Sequence, residues 1–428
     1  MGVRRAFKMS DLKKGVTDSV TAQRRDGNVF ILGAGFSAPA GAPLISNFLD
    51  RAREFYDNPA SELDAEECKH FERVFDFKRK MAHAREKVII DLDDIEQLFG
   101  LVEMSYRLGK VEKETRNSTV YLIAKTLQLA IADPKWHKDR FGLLLGEDAI
   151  ARLNNVLKMR DKGRVSTTNC FIDVYDYFAA LVSGLLDNQT RVLARENTII
   201  TFNYDLVVDD ALVRVGCRPR YFVGQDVPET TLVPGQHPGC ALLKLHGSAN
   251  RGICDQGHVV VLNEKFTDSP HVFRSMRCSK CDATFQPLLI PPSWDKSEHP
   301  DILAPVWAKA VDAIRLATRI CIIGYSIRES DAFFKYLLTL ALSENYQLYR
   351  LIVVDLVQAT PAVFGSPPEQ TPEGPVQIRY RQLLDPLFQK RRFSFYDCGL
   401  VSYLHGGASR IELNRGDDVK GQLSLYGS

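Results

Sequence analysis

Short apolar runs recur along the chain, separated by segments in which apolar residues return every three to four positions. After Val29-Phe30-Ile31-Leu32 come Thr198-Ile199-Ile200-Thr201-Phe202, Leu242-Leu243-Lys244-Leu245, Leu288-Leu289-Ile290, Ile320-Cys321-Ile322-Ile323 and Leu351-Ile352-Val353-Val354. Nearly unbroken apolar strands of this length suit a parallel sheet covered on both faces. Helical patterns over 206–215, 302–317 and 332–343 supply covering layers. Together they predict an α/β protein with an open, doubly wound, Rossmann-like parallel sheet.

Residues 59–195 carry no strand pattern. Helical periodicity runs through 61–84, 93–107, 118–131, 149–158 and 170–186, which predicts a large all-helical insertion subdomain beside the sheet. The sheet domain is expected to comprise 29–58 and 196–356. Residues 1–28 read as a basic arm. In 357–428, prolines 361, 367, 368, 372 and 375 mark a linker, Arg392-Phe393-Ser394-Phe395-Tyr396 is a last strand, and a glycine-rich polar tail follows Gly399.

With 428 residues, 45% hydrophobic and 25% charged, the chain can bury a sizeable core. A formal net charge of +2 makes no electrostatic case for nucleic acid or a membrane surface. No apolar run approaches the ~18 residues of a membrane span. Arg4, Arg5, Lys8, Lys13 and Lys14 are followed by no apolar segment, so a solvated arm is expected rather than a secretory signal. The nine cysteines are odd in number and mostly scattered, which is usage for a reducing compartment, and a cytoplasmic location is expected.

Candidate chemistry lies at the strand ends. The first strand flows into Gly33-Ala34-Gly35-Phe36-Ser37-Ala38-Pro39-Ala40-Gly41-Ala42-Pro43, with a helical pattern from about Ile45. Gly33-x-Gly35-x-x-Ala38 satisfies the relaxed dinucleotide fingerprint, in which glycines let backbone approach a pyrophosphate at a helix start. Gly33, Ala34, Gly35 and Ser37 are the expected diphosphate contacts, and Gly41 and Pro43 shape the loop. Gly324 and Ser326 follow another strand and would close on the adenosine ribose or phosphate. Asp355 ends its strand, where a carboxylate can accept from ribose hydroxyls or cap a helix.

Three further segments keep order with the first turn: Thr201-Phe202-Asn203-Tyr204-Asp205, Leu245-His246-Gly247-Ser248 and Ile323-Gly324-Tyr325-Ser326. Over residues 29–355 the four motifs resemble the sirtuin (silent-information-regulator-like) family in its prokaryotic branch. The resemblance implies NAD as substrate. Asn203 would position a ribose hydroxyl or the attacking water, Asp205 would contact the carboxamide, and His246 would act as general base. Read without the resemblance, Asn203 is a turn former and Asp205 a helix N-cap. The resemblance also extends to a zinc ribbon, with Cys278-Ser279-Lys280-Cys281 as one pair and Cys254 and His258 as a degenerate second pair. A ribbon that has lost its metal is the alternative.

Two departures point away from peptide chemistry. Leu44, Ile45 and Ser46 stand where a sirtuin deacylase carries Asp-Phe-Arg, and Phe202 stands where it carries Gln. The sequence therefore looks like the NAD-hydrolase branch associated with anti-phage defence. That branch implies cleavage of NAD+ to nicotinamide and ADP-ribose, homo-oligomerisation and a HerA-type ATPase partner. The alternatives are an NAD-dependent deacylase, an ADP-ribosyltransferase, or a non-catalytic nucleotide sensor.

Overall fold

The computed structural model describes residues 27–132, 142–144, 171–184, 197–223, 239–262, 269–290, 300–328, 332–355, 374–390 and 392–405. In chain order its strands are β1 (Asn28–Leu32), β2 (Gly142–Leu144), β3 (Phe171–Asp173), β4 (Thr198–Thr201), β5 (Ala241–Lys244), β6 (Gly247–Cys254), β7 (Val259–Val261), β8 (Phe285–Leu289), β9 (Arg319–Ile323), β10 (Arg350–Asp355) and β11 (Phe393–Asp397). Six of them form one sheet in the order β11-β10-β9-β1-β4-β5, every neighbouring pair parallel.

The chain begins this sheet at its centre. It winds outward through β4 to β5, returns to the other side of β1 at β9, and winds outward again to β11. The strand order therefore reverses between β1 and β9, and ligands of open α/β sheets bind outside the strand C-termini at such a point.

Alternating strand residues feed two cores. Phe30, Leu32, Ile199, Leu242, Cys321, Ile323, Ile352 and Val354 face the helices Val174–Val182, Val207–Arg214 and Leu400–His405. Val29, Ile31, Ile200, Leu243, Ile320, Ile322, Leu351 and Val353 face Pro300–Arg315, Ala332–Leu342 and Pro375–Gln389. Two-sided burial explains why these strands read as continuous apolar runs instead of alternating ones.

A second body is helical. Phe48–Asp57, Ala65–Met81, Ile95–Arg107 and Lys113–Ala132 enclose Phe71, Val74, Leu98, Phe99, Val102, Leu122 and Ile123. Asp64 starts the second of these helices with a reciprocal capping box to Glu67. No described helix is long and apolar enough to cross a membrane.

Several elements differ from the sequence expectation. The run Leu288–Ile290 is not in the parallel sheet, because β8 pairs antiparallel with β6 in a separate three-stranded sheet of order β7-β6-β8. The stretch 59–195 contains two short antiparallel strands, β2 and β3, and its helix Val174–Val182 packs against Phe30 of β1 rather than into the helical core. In the C-terminal stretch Pro375 opens a helix, β11 joins the sheet edge, and Leu400, Tyr403 and Leu404 are buried against the sheet. The arm 1–26, the pattern at 149–158, the linker 358–373 and the tail beyond 405 lie outside the described residues.

Candidate functional site

The turns that follow β1 and β9 meet at the switch point. Gly33 donates to Ile323 O at 3.0 Å, Gly35 donates to Gly324 O at 2.9 Å, and Phe36 donates to Gly33 O at 3.0 Å. Glycine is required on both sides of this contact. A Cβ on Gly33 would lie 2.4 Å from Gly324 O, and one on Gly35 would lie 2.9 Å from Gly324 Cα. Gly324 itself adopts φ +63°, and its Cβ would fall 2.2 Å from the Phe36 nitrogen. The glycines read from sequence as a phosphate approach thus also hold two backbone turns against each other.

The helix after the first glycine starts earlier than the expected Ile45. Ala34–Ser37 forms a single helical turn, and Ala38–Ala40 continues as a 3₁₀ turn. Gly41 closes it with φ +94°, and Ala42 donates back to Ser37 O. Pro43 is buried just beyond. The longer helix begins at Phe48.

Asn203, past the end of β4, donates from Nδ2 to Gly33 O at 2.8 Å and to Ser37 Oγ at 3.1 Å. The Ser37 hydroxyl in turn donates to the carboxyl of Asp205. Asp205 accepts from the Val207 N–H at 3.0 Å, an Asx turn one residue before Leu206, the N-cap of Val207–Arg214. Burial pushes its carboxyl up, while the nearby Lys244 ammonium opposes that rise. Lys244, fully buried in β5, donates to Asp205 O and to Asp209 Oδ2. A continuous polar chain therefore joins the first turn to the turn after β4 and to the strand that leads into His246.

His246 follows β5 directly. Its ring sits in an aromatic surround, with centroids 5.1 Å from Phe202, 6.3 Å from Tyr204 and 6.4 Å from Trp307. Trp307 donates from its indole to Leu245 O, and Tyr204 OH donates to Ile290 O, so two of these rings are fixed by hydrogen bonds. The His246 carbonyl accepts from Ile290 N. Gly247 has φ +90°, and a Cβ there would come within 2.0 Å of Leu288 O. Phe202 links this cluster to the switch point by stacking on Tyr325 with centroids 4.8 Å apart.

On the other flank, Ser326 Oγ donates to Asp355 Oδ2 at 2.9 Å, which joins the ends of β9 and β10. Ser326 O accepts from Arg379, and Tyr325 O accepts from Tyr380 OH. Arg328 bonds Asp94 at the head of Ile95–Arg107, tying this loop to the helical body. All the sequence candidates around the first turn, Asn203, Asp205, His246, Gly324, Ser326 and Asp355 are thus arranged on the C-terminal edge of one sheet. Sequence reading missed Lys244, Tyr204, Trp307, Tyr325, Arg328 and Arg379. Only the lysine left a trace, as a charge inside an apolar run.

The Cys-x-x-Cys candidate also comes together. Cys254 at the end of β6, His258, Cys278 and Cys281 place their ligand atoms within 4.8 Å of one another. His258 Nδ1 lies 3.4 Å from both Cys254 Sγ and Cys278 Sγ, and Cys254 Sγ lies 3.6 Å from Cys281 Sγ. Tetrahedral zinc with bonds of ~2.1–2.3 Å separates its ligand atoms by ~3.5–3.8 Å, so three thiols and one imidazole fit that ion. Burial raises the Cys278 thiol, but N–H groups of Lys280 and Cys281 and the neighbouring thiols bring it down to about 6. Cys254, Leu262, Phe273, Cys278 and Phe285 form a small buried cluster of their own at this end of the sheet.

No family model matches this sequence, and no curated protein matches it. Among solved structures the chain is similar to Sir2Tm bound to a propionylated peptide, at 12% identity and TM-score 0.33, covering 93% of this chain and 97% of that one. It is similar to Sir2 bound to an acetylated peptide at 13% identity and TM-score 0.33, covering 94% and 98%. It is also similar to Sir2 with a p53 peptide and NAD+ at 11% identity and TM-score 0.36, covering 94% and 98%.

Proposed function

We propose that this chain is an NAD+ glycohydrolase converting NAD+ and water to nicotinamide and ADP-ribose. One observation carries the reading: at a topological switch point, Asn203, Ser37 and Asp205 are linked into the glycine turn, and His246 is joined through Phe202 to Tyr325 in the β9 turn that packs against it.

The Gly33, Gly35 and Phe36 N–H groups are engaged within the backbone and Ser37 ends the helical turn, so the diphosphate falls to the Ala34 N–H with Ser37 beside it. The Ser326–Asp355 pair takes the adenosine ribose. In the reaction the bond between ribose C1′ and the nicotinamide nitrogen breaks, and its electron pair leaves with the ring. The departing pyridinium becomes neutral nicotinamide, so no general acid is needed. Water adds to the oxocarbenium-like ribose and loses its proton to His246. Both Nδ2 hydrogens of Asn203 go to the turn, leaving Oδ1 to orient that water or a ribose hydroxyl. The rings of Phe202, Tyr204 and Trp307 exclude bulk water around the imidazole.

Phe202 favours hydrolysis over acyl-lysine chemistry. It fills the space between His246 and Tyr325 with an apolar ring where the resembling deacylases carry a polar Gln. The Cys254, His258, Cys278, Cys281 set is a structural zinc site. In the cell, we place the activity in cytoplasmic anti-phage defence through NAD+ depletion, carried by a homo-oligomer and restrained by a HerA-type ATPase partner.

Purified protein, alone and with such a partner, is incubated with NAD+ and analysed for nicotinamide and ADP-ribose by chromatography. Release of both without any acylated peptide is expected. A strict requirement for an acyl-lysine peptide would return the chain to the deacylase reading.

A further inference from the structure

Arg251 is fully buried in β6, yet Nε and both terminal nitrogens of its guanidinium have no hydrogen-bond partner among the described residues. It sits where the β6–β8 register breaks between Ser248 and Gly252, an irregularity of the kind that re-aims a side chain. One face of the guanidinium is covered by the Tyr221 ring, 4.9 Å from its centroid. Burial brings Arg251 down to about 10, which still leaves it charged at neutral pH.

The protein offers this cation no carboxylate of its own among those residues. Asp209 is close enough to be felt by Arg251, but Tyr221 OH donates to its Oδ1 at 2.6 Å and Lys244 donates to its Oδ2 at 2.9 Å. Lys244 and Arg251 are both fully buried, and Asp209, the carboxylate that acts on Arg251, already has both oxygens committed. Arg220 and Lys309 each lie beside the ring of Phe222, the next residue after Tyr221. Phe222 itself has φ +54°, a strained backbone for a bulky residue. A buried charge is retained only when it is paired and its donors are satisfied.

We propose that Arg251 is the receptor for a single oxyanion, a carboxylate or a phosphate, bound in the plane of its guanidinium beside Tyr221 and Asn250. The planar fork presents parallel N–H groups that match two oxygens of either group, while the Tyr221 ring blocks the face. Asn250 Nδ2 donates to Tyr221 OH at 3.4 Å and to Leu262 O at 3.5 Å, which fixes the rim of the site beside the ring. This site is distinct from the glycine turn and does not depend on the NAD+ reading.

The test uses the full chain, dialysed into a neutral buffer free of phosphate and carboxylate. Sodium phosphate, sodium acetate and sodium chloride are titrated at constant ionic strength while the thermal midpoint and the heat of binding are followed. Phosphate or acetate should raise the wild-type midpoint by about 3 °C at one hundred times its Kd, and chloride should not. The stronger of the two identifies the source chemistry. Arg251→Met should abolish the rise, and its midpoint in anion-free buffer should equal or exceed wild type. Arg251→Lys, which keeps the charge and loses the fork, should bind at least about tenfold more weakly. If Arg251→Met does not fold, calorimetry on wild type and Arg251→Lys decides. No heat and no midpoint shift in wild type, or an unchanged anion response in either variant, would overturn the proposal.

Discussion

Asn203 commits both hydrogens of its amide to the first turn, donating to Gly33 O at 2.8 Å and to Ser37 Oγ at 3.1 Å. The residue proposed to orient the nucleophile is therefore also a clamp between β4 and β1. Asn203→Ala should lower stability by about 1–3 kcal/mol through lost, part-buried hydrogen bonds, besides reducing nicotinamide release. Asn203→Asp should be at least as damaging, since a carboxylate cannot donate to Gly33 O. Urea unfolding and calorimetry with ADP-ribose check this. A fully stable Asn203→Ala protein would show that the clamp contributes nothing.

His246 is proposed to act on the nucleophile and not to hold the diphosphate, so its loss should separate turnover from binding. His246→Ala is expected to reduce nicotinamide release by ~10²–10⁴ while ADP-ribose affinity stays within about tenfold. Wild-type turnover in this variant would remove His246 from the chemistry.

The glycine contact ranks its own substitutions. Gly324→Ala combines positive φ with a 2.2 Å approach to the Phe36 nitrogen, whereas Gly35→Ala meets Gly324 Cα at 2.9 Å and needs a smaller shift. Gly324→Ala should cost about 2–4 kcal/mol and Gly35→Ala less, by denaturant unfolding. Gly35→Val should abolish nucleotide binding chiefly by prising the two turns apart. An order in which Gly35→Ala is the more damaging would contradict this geometry.

Loss of the metal should loosen one small sheet. The end of the β6, β7 and β8 unit that carries the cysteines has only a small apolar cluster of its own, and metal binding contributes folding free energy to such units. Elemental analysis should find one zinc per chain, and Cys254→Ser or Cys281→Ser should remove it and lower the thermal midpoint by several degrees. The opposite end of the same ladder holds Gly247 against Leu289, so nicotinamide release should fall as well. Metal-free protein with an unchanged midpoint would make the cluster a vestigial ribbon.

His70 gives the helical body an acid-sensitive element. Burial, together with Arg73 and Arg274, holds its imidazole down to about 4, while Nδ1 lies 3.0 Å from Ser118 Oγ. The folded state thus binds this proton less readily than the unfolded chain, whose imidazole titrates near 6.5. Its contribution is present above about pH 6.5 and lost as pH falls toward 4. Urea midpoints of wild type should drop between pH 7 and pH 5, and His70→Gln should flatten that drop. Parallel pH profiles would assign the acid sensitivity elsewhere.

Sequence alone determined the strands whose residues are buried on both faces, because two-sided burial writes itself as an unbroken apolar run. It also marked Asn203, Asp205, His246, Gly324 and Asp355 as strand-end residues, since each stands where such a run stops. Asp205 forms a turn just ahead of the helix, whose N-cap is Leu206, while lying in the polar chain around the first turn. What the sequence could not decide was which distant segments meet. Leu288–Leu289 has the composition of a central strand, yet it pairs with β6 because the His246–Gly247 turn holds Leu288 against it. The glycines of the first turn looked like room for a ligand, but only the tertiary structure places Gly324 against them. The pairing of Lys244 with Asp209, and the guanidinium of Arg251 that has no hydrogen-bond partner among the described residues, are likewise invisible in a linear chain. Burial and hydrogen-bond satisfaction depend on what packs around a side chain, and no local pattern encodes that.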